Sequence, residues 1–294
     1  MSGWVLGVIG GSGLYEIEGL EDPRWIDIES PFGAPSDQLL SGRLGDVRLY
    51  FLPRHGRGHR LPPGAINARA NIDALKRCGC TDVISISAVG SLRESLPPGT
   101  FVVVDQFIDR THGRQASFFG PGLVAHVSMA HPVCARLSSL AAAAARAAGA
   151  SVAEGGTYLA MEGPQFSTAA ESRLYRSWGC DVIGMTGMPE AKLAREAELP
   201  YASVAMVTDF DAWDDEIAHV EVGQILAQLA ANAAAARELV RRLAADLPAE
   251  RTPSPIDTAL DGAILTQLAV RDPAMLQKLS AVAGRAFGLR TQAR

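Results

Sequence analysis

Two aspartates follow an apolar stretch of the chain and are the first candidates for chemistry. Residues 202–207 are apolar or small, as in a strand buried within a sheet, and the chain then turns polar at Thr208, Asp209 and Asp211. In open α/β sheets, ligands bind beyond the carboxyl ends of the strands. Side chains two residues apart on a strand share one face, so we expect Asp209 and Asp211 to lie together.

Neighbouring carboxyl groups repel each other when both are ionised, so one of the pair tends to keep its proton near neutral pH. The pair would then offer one hydrogen-bond donor beside one acceptor. That combination matches the edge of an adenine-like base, which presents its N7 acceptor next to its N6 amino donor. Two solvated loop aspartates are an equally good interpretation of these two residues taken alone.

A cationic loop follows a second apolar segment. Residues 47–52 are typical of a strand, and the Gly-Asp pair at 45–46 before them suggests a hairpin. The loop over residues 53–60 carries three arginines and two histidines, separated by glycines. A guanidinium matches phosphate oxygens with two parallel hydrogen bonds, so phosphate is the favoured ligand and a solvated basic loop is the alternative. We expect no metal site, because no carboxylate or cysteine lies nearby and the glycines oppose a helix that would align His55 with His59.

Small residues end two further predicted strands and offer groups that bind anions. The strand over residues 4–9 runs into Gly10-Gly11-Ser12-Gly13, where glycines allow close backbone approach and Ser12 adds a hydroxyl donor. This stretch is weak evidence alone, because the third glycine of a dinucleotide-binding fingerprint is missing. Residues 82–87 form another strand, which ends on the hydroxyl of Ser87.

The alternation of strands and helices determines how these groups would be positioned. Further strands are predicted over residues 101–104, 157–161 and 181–186, and helices over 63–78, 134–148, 171–178, 189–198 and 220–243. Residues 105–110 are expected to lead into a long polar loop. The alternation predicts an α/β fold with a mixed, mostly parallel central β-sheet flanked by helices.

Composition argues against several kinds of partner. The 294 residues carry a net charge of −5, which gives no electrostatic reason to expect nucleic acid or an anionic membrane. No apolar run approaches the length of a membrane span. The four cysteines form no C-x-x-C pair, so we expect free thiols in a reducing cytoplasm and no metal.

Seven motifs stand in the order of one known family. They are Gly10-Gly11-Ser12-Gly13, Arg54-His55-Gly56, Ala88-Val89-Gly90-Ser91-Leu92, Asp105-Gln106-Phe107-Ile108-Asp109-Arg110-Thr111, Glu162-Gly163-Pro164-Gln165-Phe166-Ser167, Met185-Thr186 and Thr208-Asp209-Phe210-Asp211-Ala212-Trp213. With these motifs the chain resembles the trimeric purine nucleoside phosphorylase family over residues 3–247, and within it the enzymes that act on 5′-methylthioadenosine. One motif would be weak evidence, whereas seven in register are specific.

The resemblance implies a role for each matching position. Phosphate would be held by Ser12, Arg54, His55, Ser87, Ala88 and Thr186. Met185 would pack beneath the ribose and Phe166 against the purine. The purine edge would meet Ser167, Thr208, Asp209 and Asp211. The 5′-methylthio group would meet Val222, Ile225 and Leu226, which are equally well explained as core residues of their helix, and His126 would come from a neighbouring subunit.

The implied enzyme is a pentosyltransferase of purine and methionine salvage, with one nucleoside phosphorylase-like domain per chain. It would phosphorolyse 5′-methylthioadenosine to adenine and 5-methylthioribose 1-phosphate, with Asp209 as general acid. Inorganic phosphate would be the co-substrate, no organic cofactor or metal would be needed, and the assembly would be a homotrimer. Two alternatives stay open: a phosphorylase of 6-oxopurine nucleosides such as inosine or methylthioinosine, and a non-catalytic nucleoside-binding module.

The end of the chain has no counterpart in the resemblance. Residues 248–255 contain three prolines and are typical of a linker, and residues 256–287 show helical periodicity interrupted at Asp272-Pro273. We therefore expect a catalytic domain over residues 1–247, a linker over 248–255 and a helical tail over 256–294. A chain truncated after Leu247 is expected to keep a folded core.

Overall fold

A computed structural model describes residues 3–11, 13–213 and 222–289, without the side chains of 222–226. These residues form one mixed α/β domain around an eleven-stranded sheet. The strands are β1 (Val5–Gly10), β2 (Glu21–Ile26), β3 (Leu39–Leu44), β4 (Val47–Pro53), β5 (Asp82–Ser91), β6 (Thr100–Val104), β7 (Gln106–Arg110), β8 (Ser151–Glu154), β9 (Thr157–Met161), β10 (Val182–Gly184) and β11 (Tyr201–Phe210). The α-helices are α1 (Ala68–Arg77), α2 (Ala135–Ala147), α3 (Ala169–Ser177), α4 (Gly187–Glu196), α5 (Val222–Asp246) and α6 (Pro273–Lys278). Within these ranges no helix combines the length and the apolar character needed to cross a bilayer.

The sheet is mixed and mostly parallel, which confirms the predicted architecture. Parallel pairs join β1 to β4 and β5, β5 to β11, β6 to β8, and β9 to β7 and β10. The central strand β5 pairs with β11 along one edge. Along its other edge it pairs with β1 over residues 82–85 and with β10 only at Gly90 and Ser91. In the described sheet, residues 86–89 of β5 therefore have no strand beside them on that edge.

Two hydrophobic clusters cover the two faces of the sheet. Side chains alternate along β5, so Val83 and Val89 belong to the cluster that contains Ile72 of α1 and Leu193 of α4. Ile84, which points the other way, packs in the cluster formed with α2 and α5. Helices thus lie on both faces of the sheet, as expected for βα alternation.

The sequence predicts the buried elements and misses strands with few buried side chains. The hairpin turn at Gly45-Asp46 is confirmed, because Leu44 of β3 pairs with Val47 of β4. Residues 105–110 are expected only to lead into a loop, whereas the structure forms the strand β7 there, paired in parallel with β9. Neither β2, β7 nor β8 contains a buried residue, so hydrophobic periodicity gives no signal for them. Backbone hydrogen bonds to a neighbouring strand define these elements.

The C-terminal segment is packed into the same domain. It contains two short 3₁₀-helices and the six-residue α6, rather than the longer helical tail that periodicity predicts. Gly262, at a φ of 73°, and Pro273 interrupt the helical pattern. Leu260, Leu279 and Val282 are at most 1% exposed and lie in the cluster that includes α1 and α4.

An ion-pair network fixes the proline-containing segment to the sheet. Arg251 pairs with the buried carboxylate of Asp82 and also with Asp257, and its guanidinium lies 5.8 Å from the ring centroid of Trp4. A chain that ends at Leu247 would lose this pairing and expose the apolar surface that the tail covers. The structure therefore argues against a folded core after that truncation.

We predict that Leu279→Ala lowers the free energy of unfolding by about 2–5 kcal/mol, because it leaves a cavity in the main core. Leu268→Ala, on the same segment but 78% exposed, is the control and should change stability by less than about 0.5 kcal/mol. Urea denaturation measures both. Equal stabilities of the two variants, or a separate unfolding transition for the tail, would contradict the packing described here.

Candidate active site

A cavity of about 660 Å³ opens beside the unpaired edge of β5. The segments that follow β1, β4, β9 and β10 meet there with the second half of β5, the end of β11 and one face of α5. The predicted site residues that line the cavity are Arg54, His55, Ser87, Ala88, Phe166, Ser167, Met185, Thr186, Thr208, Asp209 and Asp211. The fold therefore brings together groups that are far apart in sequence, as their positions at strand ends predict.

The open edge of β5 presents backbone groups to the cavity. The carbonyl oxygen of Ile86 accepts a hydrogen bond from Nη1 of Arg54 at 2.9 Å, which fixes the direction of this edge. Alternate residues of a strand direct their backbone groups to the same edge, so the N–H of Ala88 faces the same opening. Together with the hydroxyls of Ser87 and Thr186, which also line the cavity, it forms a cradle of neutral donors suited to an anion.

Arg54 lines the cavity, and most N–H groups of its guanidinium already donate hydrogen bonds within the protein. The residue is 1% exposed; Nε donates to Oε1 of Glu190 at 2.5 Å, and Nη2 donates to Oγ of Ser85 at 2.6 Å. The other arginines of its loop point elsewhere, since Arg57 and Arg60 both pair with Asp37. The predicted cationic loop thus contributes one arginine to the cavity.

Glu190 is a site residue that sequence reasoning misses. It lies in the first turns of α4, is 2% exposed, and accepts hydrogen bonds from Arg54, from Ser85 Oγ at 2.9 Å and from Tyr201 Oη at 3.2 Å. Burial alone would lower the pKa of Arg54. The charge and the hydrogen bond of Glu190 together raise it by more, so the pKa of Arg54 is raised overall. In the sequence this residue is an ordinary acidic residue near a helix start, and nothing there connects it with Arg54.

His55 is neutral at physiological pH. Its Nδ1 lies 2.9 Å from the carbonyl oxygen of Leu61, and because a carbonyl only accepts, Nδ1 must carry the hydrogen. Nε2 is then an acceptor. Burial lowers the pKa of His55 to about 4, so the ring adds no positive charge to the cavity near pH 7. The ring stacks on that of His59 at 4.2 Å.

The aspartate pair lies at the other side of the cavity, where β11 is irregular. The register of β11 against β5 shifts between Val207 and Asp209, and the hydroxyl of Thr208 donates to Oδ2 of Asp209 at 2.6 Å. Burial raises the pKa of Asp209; the bond from Thr208 offsets part of the shift, and the charge of Asp211 adds to it. The expected upward shift is present, with burial rather than charge repulsion as its largest cause.

Asp211 has an unsatisfied oxygen. The residue is 8% exposed, and its Oδ2 has no hydrogen-bond partner among the described residues. Burial is also the main reason that the pKa of Asp211 is raised. A Cβ placed on Gly90 would lie 3.3 Å from Oδ1 of Asp209 and 3.3 Å from Cβ of Asp211, so the glycine lets both aspartates approach β5 closely. The pair is suited to a ligand edge that offers both an acceptor and a donor.

The loop after β9 is held close to the loop after β10. Gly163, at a φ of 67°, leaves room for the Met185 side chain, whose sulfur would lie 2.4 Å from a Cβ at that position. Arg114, another residue that the sequence does not single out, donates from Nη1 to the Met185 carbonyl at 2.7 Å and from Nη2 to the Glu162 carbonyl at 2.6 Å. This bridge holds Met185 against the cavity. Phe166 also lines the cavity, and 81% of the Phe166 surface is exposed.

Four predicted residues lie outside the described part of the site: Ser12, and the side chains of Val222, Ile225 and Leu226. The next turns of α5 line the cavity with Leu229, Ala230 and Ala233. His126 does not line the cavity of its own chain; it is exposed, and its backbone N–H donates to the Ala263 carbonyl at 2.9 Å. Among the side chains described, no group of three or more His, Cys, Asp and Glu residues could hold a metal ion.

Comparison with known proteins gives a consistent result. The chain matches the phosphorylase superfamily from residue 5 to residue 245. It is 62% identical over 283 residues to the S-methyl-5′-thioadenosine phosphorylase of Cereibacter sphaeroides, covering 96% of this chain and 98% of that one. Identity to the enzyme of the same name from Rhodospirillum rubrum is 59% over 286 residues, covering 97% of each.

Two solved structures share the fold. A methylthioadenosine phosphorylase from an antarctic soil metagenomic library has a TM-score of 0.90 at 44% identity, covering 94% of this chain and 98% of its own. A variant of the adenosine/methylthioadenosine phosphorylase of Schistosoma mansoni, in complex with methylthioadenosine, has a TM-score of 0.73 at 40% identity, covering 82% and 91%.

Proposed function

The chain belongs to the phosphorylase superfamily, and from this premise we propose that it cleaves 5′-methylthioadenosine with inorganic phosphate. The products are adenine and 5-methylthioribose 1-phosphate, and the enzyme is a pentosyltransferase of purine and methionine salvage. The observation that carries the proposal is the cavity itself, with a cradle of anion donors on one side and two buried carboxyl groups on the other. Phosphate and a purine fit these two sides.

The reaction needs the phosphate and the purine on opposite sides of the ribose. A phosphate oxygen attacks C1′ while the bond from C1′ to N9 breaks, and the bonding electrons leave with adenine. The sugar becomes oxocarbenium-like, and the negative phosphate stabilises the positive charge that develops at C1′. Ser87, the Ala88 N–H and Thr186 hold the phosphate, and Met185 supports the ribose.

Asp209 is the general acid of the proposed reaction. Burial raises its pKa, which favours the protonated form, and the protonated carboxyl group donates to N7 as the leaving adenine gains negative charge. The unsatisfied oxygen of Asp211 accepts a hydrogen bond from the N6 amino group. A 6-oxopurine would place O6 against this carboxyl group, so the pair favours 6-aminopurines.

One face of α5 forms the pocket for the 5′-substituent. Leu229 and Ala233, which line the cavity, follow Val222, Ile225 and Leu226 in the sequence of α5. The separations are 3, 4, 7, 8 or 11 positions, and residues at these spacings share one face of a helix. Leu229 and Ala233 give this face of α5 an apolar surface toward the cavity. A buried 5′-hydroxyl would lose its contacts with water there, whereas a methylthio group is accommodated.

We predict that adenine is released only when phosphate is present, and that kcat/KM falls in the order 5′-methylthioadenosine, adenosine, inosine. Burial of the methylthio group in an apolar pocket discriminates by roughly ten- to two-hundred-fold. A coupled assay of free purine base measures all three substrates. Faster cleavage of inosine than of 5′-methylthioadenosine would favour a 6-oxopurine enzyme, and binding without cleavage would favour a non-catalytic module.

We predict that Asp209→Asn lowers kcat for 5′-methylthioadenosine by roughly 10²–10⁴, the usual contribution of a positioned general acid. A general acid must be protonated, so kcat of the unmodified enzyme should fall as the pH rises through the pKa of Asp209. The pH profile of kcat in the variant should lack this decrease. Asp246→Asn, which changes an exposed carboxyl group at the end of α5, is the control. Unaltered turnover in Asp209→Asn would exclude the role.

A homotrimer in which the neighbouring subunit completes each site is the assembly we propose. His126 is exposed and does not line its own cavity, which fits a residue donated to a neighbour. Exposed apolar side chains accompany it on the same surface: the Val124 carbonyl bonds the N–H of Leu265, which is 59% exposed, and Leu268 and Val270 follow at 78% and 67%. Such a surface is typical of an interface.

We predict that His126→Ala and Asp209→Asn chains complement each other when co-expressed. In a mixed trimer, some sites combine Asp209 of one chain with His126 of the next, so kcat/KM should exceed that of either variant alone. Each variant purified separately, and the two mixed as preformed trimers, are the controls. Failure of co-expressed chains to gain activity would contradict a shared site.

The cytoplasm is the compartment we propose. Cys78, Cys80, Cys134 and Cys180 are all free thiols, which fits a reducing environment. Cell fractionation tests this assignment, and recovery of the protein from an oxidising compartment would contradict it.

A further inference from the structure

Most of the hydrogen-bond donors of Arg54 are occupied by partners within the protein. Arginine has five N–H donors. Nε and both N–H groups of Nη2 are directed at Glu190, Ser85 and the Ile9 carbonyl, and Nη1 donates to the Ile86 carbonyl. Among the described contacts, one N–H of Nη1 is left for a ligand. Arg54 therefore cannot grip phosphate with the two-pronged geometry expected of a free guanidinium.

The charge of Arg54 is also cancelled. Glu190 contacts it through both carboxylate oxygens, at 2.5 Å to Nε and 3.2 Å to Nη2, and neither residue is more than 2% exposed. At such distances in a buried site the pair behaves as a neutral unit toward a third group. The hydroxyls of Ser85 and Tyr201 hold the carboxylate in place.

The remaining basic groups that line the cavity do not replace this charge. Among the residues that the structure describes, they are His55 and His59. His55 has its pKa lowered to about 4 by burial and is neutral near pH 7. His59 is exposed at the mouth, where solvent screens it. The anion cradle is thus nearly neutral, although the sequence of its loop is strongly basic.

We propose that Glu190 is the built-in countercharge of the phosphate site: it orients Arg54 and cancels its charge, so that bound phosphate keeps its negative charge for the cation developing at C1′. This inference rests on the proposed phosphorolysis. A phosphate neutralised by a free guanidinium would bind more tightly and stabilise the transition state less. Glu190 therefore acts as a positioning residue that lowers the affinity for phosphate and raises turnover.

A cycle of three variants tests the proposal through KM for phosphate and kcat. Arg54→Gln leaves Glu190 buried and unpaired, facing the incoming anion, so KM for phosphate should rise on the order of a hundredfold. Glu190→Gln exposes the charge of Arg54, so KM for phosphate should fall about tenfold while kcat also falls about tenfold. In the double variant Arg54→Gln/Glu190→Gln no buried charge remains, and KM for phosphate should return to within about tenfold of the original value.

The matched control is Glu196→Gln on the same helix. Glu196 is also a buried carboxylate, but it bonds Ser117 and the N–H of Phe118 away from the cavity. Its replacement should lower thermal stability and leave KM for phosphate unchanged. In all four variants KM for 5′-methylthioadenosine should stay within about threefold, because the charge pair lies on the phosphate side.

Two outcomes would overturn the proposal. A double variant with KM for phosphate as high as Arg54→Gln would mean that the charge of Arg54 itself binds phosphate. A raised KM for phosphate in Glu190→Gln would reduce Glu190 to a structural support. The double variant, which contains no unpaired buried charge, keeps the test decisive if a single variant does not fold. Absence of phosphate-dependent cleavage by the unmodified enzyme would instead refute the proposed function.

Discussion

The central strand β5 changes neighbours within its own length, and the cavity depends on that change. Its first residues pair with β1 and its last two with β10, and the stretch 86–89 between them faces the cavity. A strand paired on both edges has no backbone groups free for a ligand. The interruption frees such groups at the middle of the sheet, where β11 on the other edge keeps β5 rigid. The site thus combines open backbone donors with a fixed geometry.

The two ends of the cavity use burial in different ways. On the proposed purine side, burial raises the pKa of Asp209 and Asp211, which favours a protonated carboxyl group that can donate. On the phosphate side, burial makes Arg54 dependent on a partner, and Glu190 supplies it. In the proposed mechanism, the first side supplies a proton and the second offsets the positive charge of Arg54. Both effects leave the site poised for charge that appears only in the transition state.

The sequence predicts the buried strands and the residues at their ends, because apolar runs and abrupt polar turns are local signals. These signals identify Asp209, Asp211 and Arg54, and all three line the cavity. Glu190 and Arg114 were missed, since their importance comes from partners far away in the chain: Arg54 is 136 positions from Glu190, and Arg114 bridges two separate loops. Edge strands such as β7 were missed because hydrogen bonding, rather than burial, defines them.

The C-terminal tail contacts the helix that carries Glu190, on the proposed phosphate side of the cavity. Glu198, just after α4, accepts a hydrogen bond from the Leu260 N–H and pairs with Arg285, both from the tail. Leu279 packs in the cluster that contains Leu193 of the same helix. Glu190 lies on α4, so the tail fixes the helix that orients Arg54, although no residue of the tail's described part lines the cavity. Because a hydrogen-bonded ion pair tolerates little displacement, the packing of the tail and the geometry of the phosphate cradle are coupled through α4.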